Sequence, residues 1–437
     1  MMDKLIFEKG DKSFLRKKWE NTLIETIKSK IPNIYYKNNQ VIVLDSEEAI
    51  KNFFFEGNED VIRNKRFVIL LVPLNNFVDL ISFFDKIDKL LHEDCKLILN
   101  YFNGSWKYVF SLFSILGLIK NFDKSLFFSR KKLNIFLNCT NYEISRVLKE
   151  ISTPFKIPFL TKFLTILINL FPFLAFFSFS NVFYLRKKTK QLRTNKMMSI
   201  IIPCKNEQYN IKKIVENAKY DLVFPFELVF VDDQSNDLTK KMIEQEIQKN
   251  PKLKIKVFDG NGKGKSRAVD VGVKNAEGYF CAILDADLTV KIKDMNLFYS
   301  SISLGNGDVI NGSRLIYRLE KNSMRFLNYL GNKFFSLLIS FIISTNVSDT
   351  LCGTKCFRRK DWEIFEDFRK NNTLDDIWGD FNILFSSSFY GFKLIDLPVR
   401  YYERLSGETK MKKRFYYFIN MLKLCTKALI VFKFKLK

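Results

Sequence analysis

The chain has 437 residues, 47% hydrophobic and 15% aromatic, with 71 Lys plus Arg against 47 Asp plus Glu and a formal net charge of +24. That mixture is too apolar and too even for a disordered or fibrous protein, and the length calls for two or three domains with cores of their own. One histidine, His92, excludes a histidine-rich metal site and leaves the C-terminal half without Ser-His-Asp or Cys-His nucleophile machinery.

In chain order, residues 1–155 read as a small α/β domain. The opening MMDKLIFEKGDK has acids and no apolar core, so no signal peptide is expected. Val41–Leu44 reads as a short strand, Phe67–Pro73 as a strand, Leu80–Leu91 as a helix and Lys96–Tyr101 as a strand. Trp106, a helix over Tyr108–Leu118 and the basic stretch Ser129–Leu133 follow. Asp45 and Glu47 after the first strand read as an ordinary loop, and Gly10 and Gly57 are the only glycines before residue 100. Residues 156–196 form a hydrophobic segment and basic linker. The uncharged run Phe163–Leu185 is long enough to span a bilayer, but Pro172, Asn169, Ser178, Ser180 and Asn181 favour a buried or surface segment. Arg186–Lys196 then carries cations and no acid. The seven cysteines are scattered without paired zinc spacing and read as reduced cytosolic thiols.

From Met197 the pattern becomes regular. Strand-like runs at 199–203, 227–232, 254–258 and 279–285 alternate with helical segments such as Asn210–Ala218 and Leu238–Lys249. That alternation predicts a mainly parallel sheet with right-handed crossovers, whose ligands bind at the carboxyl ends of the strands. Acids stand at those ends: Asp232 and Asp233 after one run, Asp285 and Asp287 after another. Two residues apart in an extended chain, Asp285 and Asp287 point the same way and suit one hard cation, Mg²⁺ or Mn²⁺. Between the pairs, Gly260–Ala268 (GNGKGKSRA) supplies glycines for close approach to phosphate and cations at Lys263, Lys265 and Arg267. Farther on, Phe326–Ser344 is broadly apolar with a polar stripe of Asn328, Asn332, Ser336, Ser340 and Ser344, fitting either a core helix or one in the bilayer interface. Residues 411–437 form a basic amphipathic tail suited to an anionic membrane surface.

Six motifs in order, PCKNE at 203–207, VDDQSNDLT, GNGKGKSRA, DADL, Gly312-Ser-Arg314 and Asp349–Lys355, resemble the family 2 glycosyltransferases over residues 197–410. They are most similar to the branch that holds dolichol-phosphate and other polyprenyl-phosphate glycosyltransferases. The resemblance implies a GT-A fold, a Rossmann-like nucleotide-sugar-binding α/β domain. It implies that Pro203, Glu207, Asp232 and Asp233 hold the nucleotide, that Lys263 and Arg267 serve its phosphates, and that Asp285 and Asp287 take the metal and diphosphate. Arg314 and Lys355 then meet donor or acceptor phosphate, Asp380 lies near the acceptor, and Arg400 and Arg404 clamp phosphates. Thr289 stands where relatives often have Gln, and Cys204-Lys205 replaces their commoner pair.

The implied reaction is an inverting transfer from a nucleoside diphosphate sugar to a polyprenyl phosphate or other glycan acceptor. It is expected on the cytoplasmic face of the membrane, peripherally or weakly anchored, with no nucleic-acid partner. A phosphate acceptor is already ionised near neutral pH (second pKa about 6) and needs no strong base; a hydroxyl acceptor would need Asp380 as base. The N-terminal part resembles the later half of a class I methyltransferase domain, in degenerate form. It lacks the glycine-rich turn that S-adenosylmethionine binding requires, so a vestigial, non-catalytic domain is expected. Methyl transfer by this half and an inactive membrane scaffold stand as the alternatives.

Overall fold

The computed structural model describes residues 39–55, 59–71, 79–116, 130–151, 160–188, 193, 195–317, 326–372, 374, 376, 378–402 and 414–434. The chain forms two compact units, 1–188 with 433–437 and 189–432.

The first unit is built on strands β1 (Val41–Leu44), β2 (Phe67–Leu70), β3 (Lys96–Phe102), β4 (Tyr142–Ile151) and β5 (Ser180–Lys187). Their order is β1-β2-β3-β5-β4, with β1, β2 and β3 parallel and β5 antiparallel to both its neighbours. Both faces are covered. Val68, Leu70, Leu97, Leu99, Phe183 and Leu185 enter one core with Phe84 and Ile87, while Ile69, Ile98, Val182 and Tyr184 enter a second. A strand buried on both sides reads as a continuous apolar run. This explains the end of Phe163–Leu185, which is not one helix: a helix Leu160–Leu170 ends before Pro172, a 3₁₀ turn covers Pro172–Phe177, and the remainder enters β5, while Phe163, Phe171, Phe173 and Phe177 stay exposed. Proline disfavours helix in the residue before it, so the chain turns there. The bilayer-spanning alternative for this run fails on that break. The helix Leu80–Leu90 is where the periodicity puts it, burying Leu80, Phe83, Phe84 and Ile87 and capped by Asp79, whose Oδ1 accepts from Ser82 N–H at 3.0 Å. Between β1 and the helix Glu47–Phe55 stand only Asp45 and Ser46, with no glycine.

The second unit holds β6 (Met198–Cys204), β7 (Phe226–Asp232), β8 (Ile255–Asp259), β9 (Phe280–Ile283), β10 (Val309–Ser313), β11 (Lys355–Arg358) and β12 (Leu394–Pro398). The order is β12-β10-β11-β9-β6-β7-β8, parallel except for β11, which runs against both β9 and β10. This is the mainly parallel α/β architecture expected. Ile200, Ile202, Leu228, Phe230, Ala282 and Leu284 pack under Ile211, Ile214 and Val215 of the helix Gln208–Asp221. Glu227, buried near the start of β7, is a structural acid. Its Oε1 accepts from Ser199 Oγ (2.5 Å) and from Glu277 N–H (2.6 Å), and Lys256 Nζ lies 2.9 Å from Oε2. Burial opposes its charge, but these donors hold its pKa below the usual value.

The helix Phe326–Ile343 buries a mixed face, with Phe335, Ile339, Ile342 and Ile343 beside Asn332 and Ser336. The middle of its polar stripe faces inward, while Asn328 and Ser344 are exposed: Asn332 donates to Asp349 Oδ1 at 2.7 Å, and Ser336 and Ser340 donate to the Val347 carbonyl. Leu327, Leu330, Phe334 and Leu337 are exposed. The helix Arg414–Leu429 packs beside it through Phe418, whose ring lies 5.3 Å from Phe335 and 6.2 Å from Phe334. Met421, Leu424, Cys425 and Ala428 are buried, whereas Phe415 and Tyr416 are exposed. By length and composition alone, Phe415–Phe434 is the one stretch among the described residues able to cross a membrane.

Candidate active site

Chain order takes β6 outward to β7 and β8 on one side, then back to β9 on the other, so the crevice between diverging connections opens at the carboxyl ends of β6, β7 and β9. The acids stand there. Asp232 closes β7, and its Oδ2 accepts from Ser235 N–H at 3.2 Å. Asp233 Oδ2 accepts from Gly264 N–H at 3.0 Å, with Lys205 Nζ 3.9 Å away. The second oxygen of each, Oδ1, is buried with no hydrogen-bond partner among the described residues. A buried carboxylate oxygen left open is costly unless a ligand donates to it. Pro203 is half-buried in β6 opposite Val231. Glu207 is buried; its N–H donates to Thr239 Oγ1 and its Oε2 accepts from the Asn210 amide, both at 2.8 Å. Asn206, Gln234 and Leu288, just beyond these strand ends, have left-handed φ of 57°, 58° and 55°. Such conformations cost about 1–3 kcal/mol each and cluster where ligands are held.

The glycine-rich loop lies on β7. A Cβ on Gly260 would sit 2.9 Å from Asp233 Cα, and Gly262 (φ +66°) presses on the Gln234 side chain. The loop's cations divide in two. Lys263 and Arg267 are exposed, Arg267 pairing with Asp270 at 3.2 Å. Lys265 instead turns inward, its Nζ 2.9 Å from Asp285 Oδ1 and 3.4 Å from Asp380 Oδ2. Burial opposes the charge on Lys265, but the Asp285 and Asp380 carboxylates override it and raise the pKa of the ammonium. Nothing in the local sequence separates Lys265 from its neighbours, because one of its partners comes from 115 residues away.

Asp285 and Asp287 do not lie on extended chain. β9 ends at Ile283, and residues 285–288 turn, with Leu288 N–H donating to the Asp285 carbonyl at 3.4 Å. The Asp285 side chain is 37% exposed, whereas Asp287 is buried and its Oδ1 accepts from Thr289 N–H (3.2 Å) and Oγ1 (2.9 Å). Thr289 therefore orients Asp287. Two hard oxygen donors of this kind fit Mg²⁺ or Mn²⁺ only with further ligands, since no group of three or more acid, His or Cys side chains able to hold a metal occurs among the described residues. Diphosphate oxygens would have to complete such a set.

Asp380 opens the helix Asp380–Phe389 after Gly379 (φ +80°), and a Cβ on Gly379 would lie 3.1 Å from Ser266 Cα, so this helix abuts the glycine-rich loop. Burial raises the pKa of Asp380, against Lys265 and Lys355. Asp376, which sequence reasoning missed, caps the same helix: its Oδ2 accepts from Phe381 N–H (2.8 Å) and Asn382 N–H (3.0 Å). Burial pushes it up to about 6.

The cations expected on phosphate have internal partners. Arg314 forks onto Asp349, Nε to Oδ2 at 2.7 Å and Nη2 to Oδ1 at 2.9 Å, and stacks 4.9 Å from the Tyr401 ring. Lys355 is buried, donating to Asn311 Oδ1 (2.7 Å) and the Cys352 carbonyl (2.8 Å). Arg400 is exposed, 5.7 Å from the Tyr317 ring, and Arg404 lies outside the described residues. Asp349, legible only as part of a motif, is thus the anchor of Arg314.

Residues 199–365 match the family described as Glycosyl transferase family 2. The chain is 29% identical over 181 residues to the dolichyl-phosphate beta-glucosyltransferase of Dictyostelium discoideum, covering 38% of this chain and 55% of that one. It is 28% identical over 223 residues to the dolichol-phosphate mannosyltransferase of Pyrococcus furiosus, covering 49% and 59%. The chain spans about half the length of the curated relatives it matches. Among solved structures, a mannosyltransferase from Pyrobaculum calidifontis in complex with GDP-Man and Mn²⁺ superposes with a TM-score of 0.37 at 17% identity, over 53% of this chain and 62% of that one. The match to the family begins at residue 199, and the methyltransferase-like reading of the N-terminal unit gains no support from it.

Proposed function

We propose that the C-terminal unit transfers a hexose, with inversion, from a nucleoside diphosphate sugar to a polyprenyl phosphate. The observation that carries this is the meeting, at one crevice, of two buried, unpaired carboxylate oxygens at Asp232 and Asp233 with the Gly260–Gly264 loop and the Lys265, Asp285 and Asp380 cluster. The carboxylates of Asp232 and Asp233 suit N–H and O–H donors of a base and ribose. The loop suits the diphosphate, with Lys263 and Arg267 exposed for its charge. Asp285 and Asp287 would hold a divalent ion, whose chemistry when bound is Lewis-acid neutralisation of the leaving diphosphate. An ionised phosphate acceptor attacks the anomeric carbon without a base. Asp380, paired with Lys265, then orients the acceptor rather than taking its proton.

The exposed row Leu327, Leu330, Phe334 and Leu337, continued by Phe415 and Tyr416, supports peripheral attachment to the cytoplasmic leaflet, where Lys333, Lys423 and Lys427 meet anionic headgroups. The N-terminal unit serves positioning or partner contact, without methyl transfer. The test incubates the full chain with a panel of nucleoside diphosphate hexoses and vesicles holding polyprenyl phosphate, with Mn²⁺ or with chelator. A glycolipid of the expected mass from one donor is the expected result. Neither donor cleavage nor glycolipid with any of them sinks the reading.

A further inference from the structure

The acid that would take the metal already faces a cation of the protein. Lys265 Nζ lies 2.9 Å from Asp285 Oδ1, a charge-assisted contact, and it is the first residue of the helix Lys265–Lys274. Its backbone is fixed from behind, since Gly264 takes φ +90° and donates its N–H to Asp233. On one side the pair is walled by backbone: a Cβ on Gly353 would collide with both Lys265 Nζ and the Asp285 carboxylate. A divalent ion at Asp285 would therefore sit within a few ångströms of the ammonium, and the two would repel. The lysine has somewhere to go. Asp380 is already within 3.4 Å, and a four-carbon stem with three donors can shift wholly to it.

We propose that Lys265 is the resident counter-cation of the donor site, competing with the divalent ion for Asp285 and passing to Asp380 when the ion enters. The inference rests on the metal reading above and deepens it. A bare divalent ion must displace an ammonium, so it binds weakly. A nucleoside diphosphate brings negative charge that accommodates both cations, so nucleotide and ion promote each other's binding. The order of loading is thereby set by one side chain, and Asp285 is kept paired while the site waits. Lys265 is a positioning residue in this scheme.

The experiment measures Mn²⁺ binding to the full chain by the electron paramagnetic resonance signal of free Mn²⁺, with and without UDP or GDP. Wild type is compared with Lys265→Met and Lys265→Gln, so that one neutral variant can fail to fold without ending the test. Both variants should bind Mn²⁺ alone about tenfold more tightly than wild type, within the usual range of coupling between sites, and should show a correspondingly smaller enhancement by nucleotide. A purely structural lysine would not tighten metal binding when removed. Wild type that binds Mn²⁺ with nucleotide, beside variants of equal or weaker affinity for Mn²⁺ alone, overturns the proposal and leaves the metal reading standing. No binding by any form under any condition overturns both.

Discussion

Two ion pairs in the C-terminal unit share a chemistry and differ in what surrounds them. Arg314 and Asp349 meet in a two-pronged geometry, and the remaining capacity of Asp349 is filled by Asn332 and by the Leu351 N–H. Lys265 and Asp285 meet at one point, a quarter and a third exposed, with a second acid beside the lysine. A guanidinium clamped by a saturated carboxylate is a strut; an ammonium shared between two acids can change partners. The lesson is that sign and distance do not distinguish a structural pair from a working one. The number of unused alternatives around it does.

Breaking the strut should have the largest effect. Asp349→Ala leaves Arg314 buried and unpaired, and should cost about 3–5 kcal/mol of stability, read from denaturant or thermal melts. If the melt is unchanged, Arg314 is free to serve phosphate after all. Asp287→Ala tests the other member of the comparison. It should leave the fold intact while lowering transfer about 10²–10³-fold, the scale seen when one electrostatic stabiliser is lost. Transfer at the wild-type rate in that variant would remove Asp287 from the site.

Acidification sharpens the contrast. The Arg314 guanidinium overcomes the effect of burial and holds Asp349 down to about 2, from 3.8. Its contribution is therefore complete above pH 3.8 and is lost only as pH falls through about 2. Asp376 runs the other way. Burial first, and the Asp380 charge with it, raise Asp376 from 3.8 to about 6, so its contribution is present at low pH and lost as pH rises through about 6. Through Asp376, lowering the pH from 7 to 5 should thus add stability, and Asp376→Asn should remove that part of the pH dependence of the melt. The smallest effect belongs to a solvated pair. Lys274 and Glu366, 3.0 Å apart with the lysine 61% exposed, should contribute at most about 1 kcal/mol, so Lys274→Gln should barely move the melt.

How much of this was readable in advance follows the range of the interaction. Asp232, Asp233, Asp285 and Asp287 were legible because a strand end followed by acids is a local pattern. The strands β6 to β9 were legible for the same reason, each a short apolar run between helical stretches. Lys265 was not, because its second partner stands 115 residues downstream. The resemblance puts Arg314 on phosphate, and its ion pair with Asp349 is not legible locally because that partner lies 35 residues on. Phe163–Leu185 resembles a membrane span because hydropathy does not show that the run breaks into a helix, a turn and a buried strand. The helix Phe326–Ile343 was ambiguous until Asn332, Ser336 and Ser340 had named partners.

The exposed side of that helix carries a kinetic consequence. If the greasy ridge of Leu327, Leu330, Phe334 and Leu337 rests on lipid, the protein finds its acceptor by diffusing in a plane. Turnover would then follow how crowded the surface is with acceptor, and diluting the vesicles with inert lipid would slow it even when the bulk amount of every reactant stays the same.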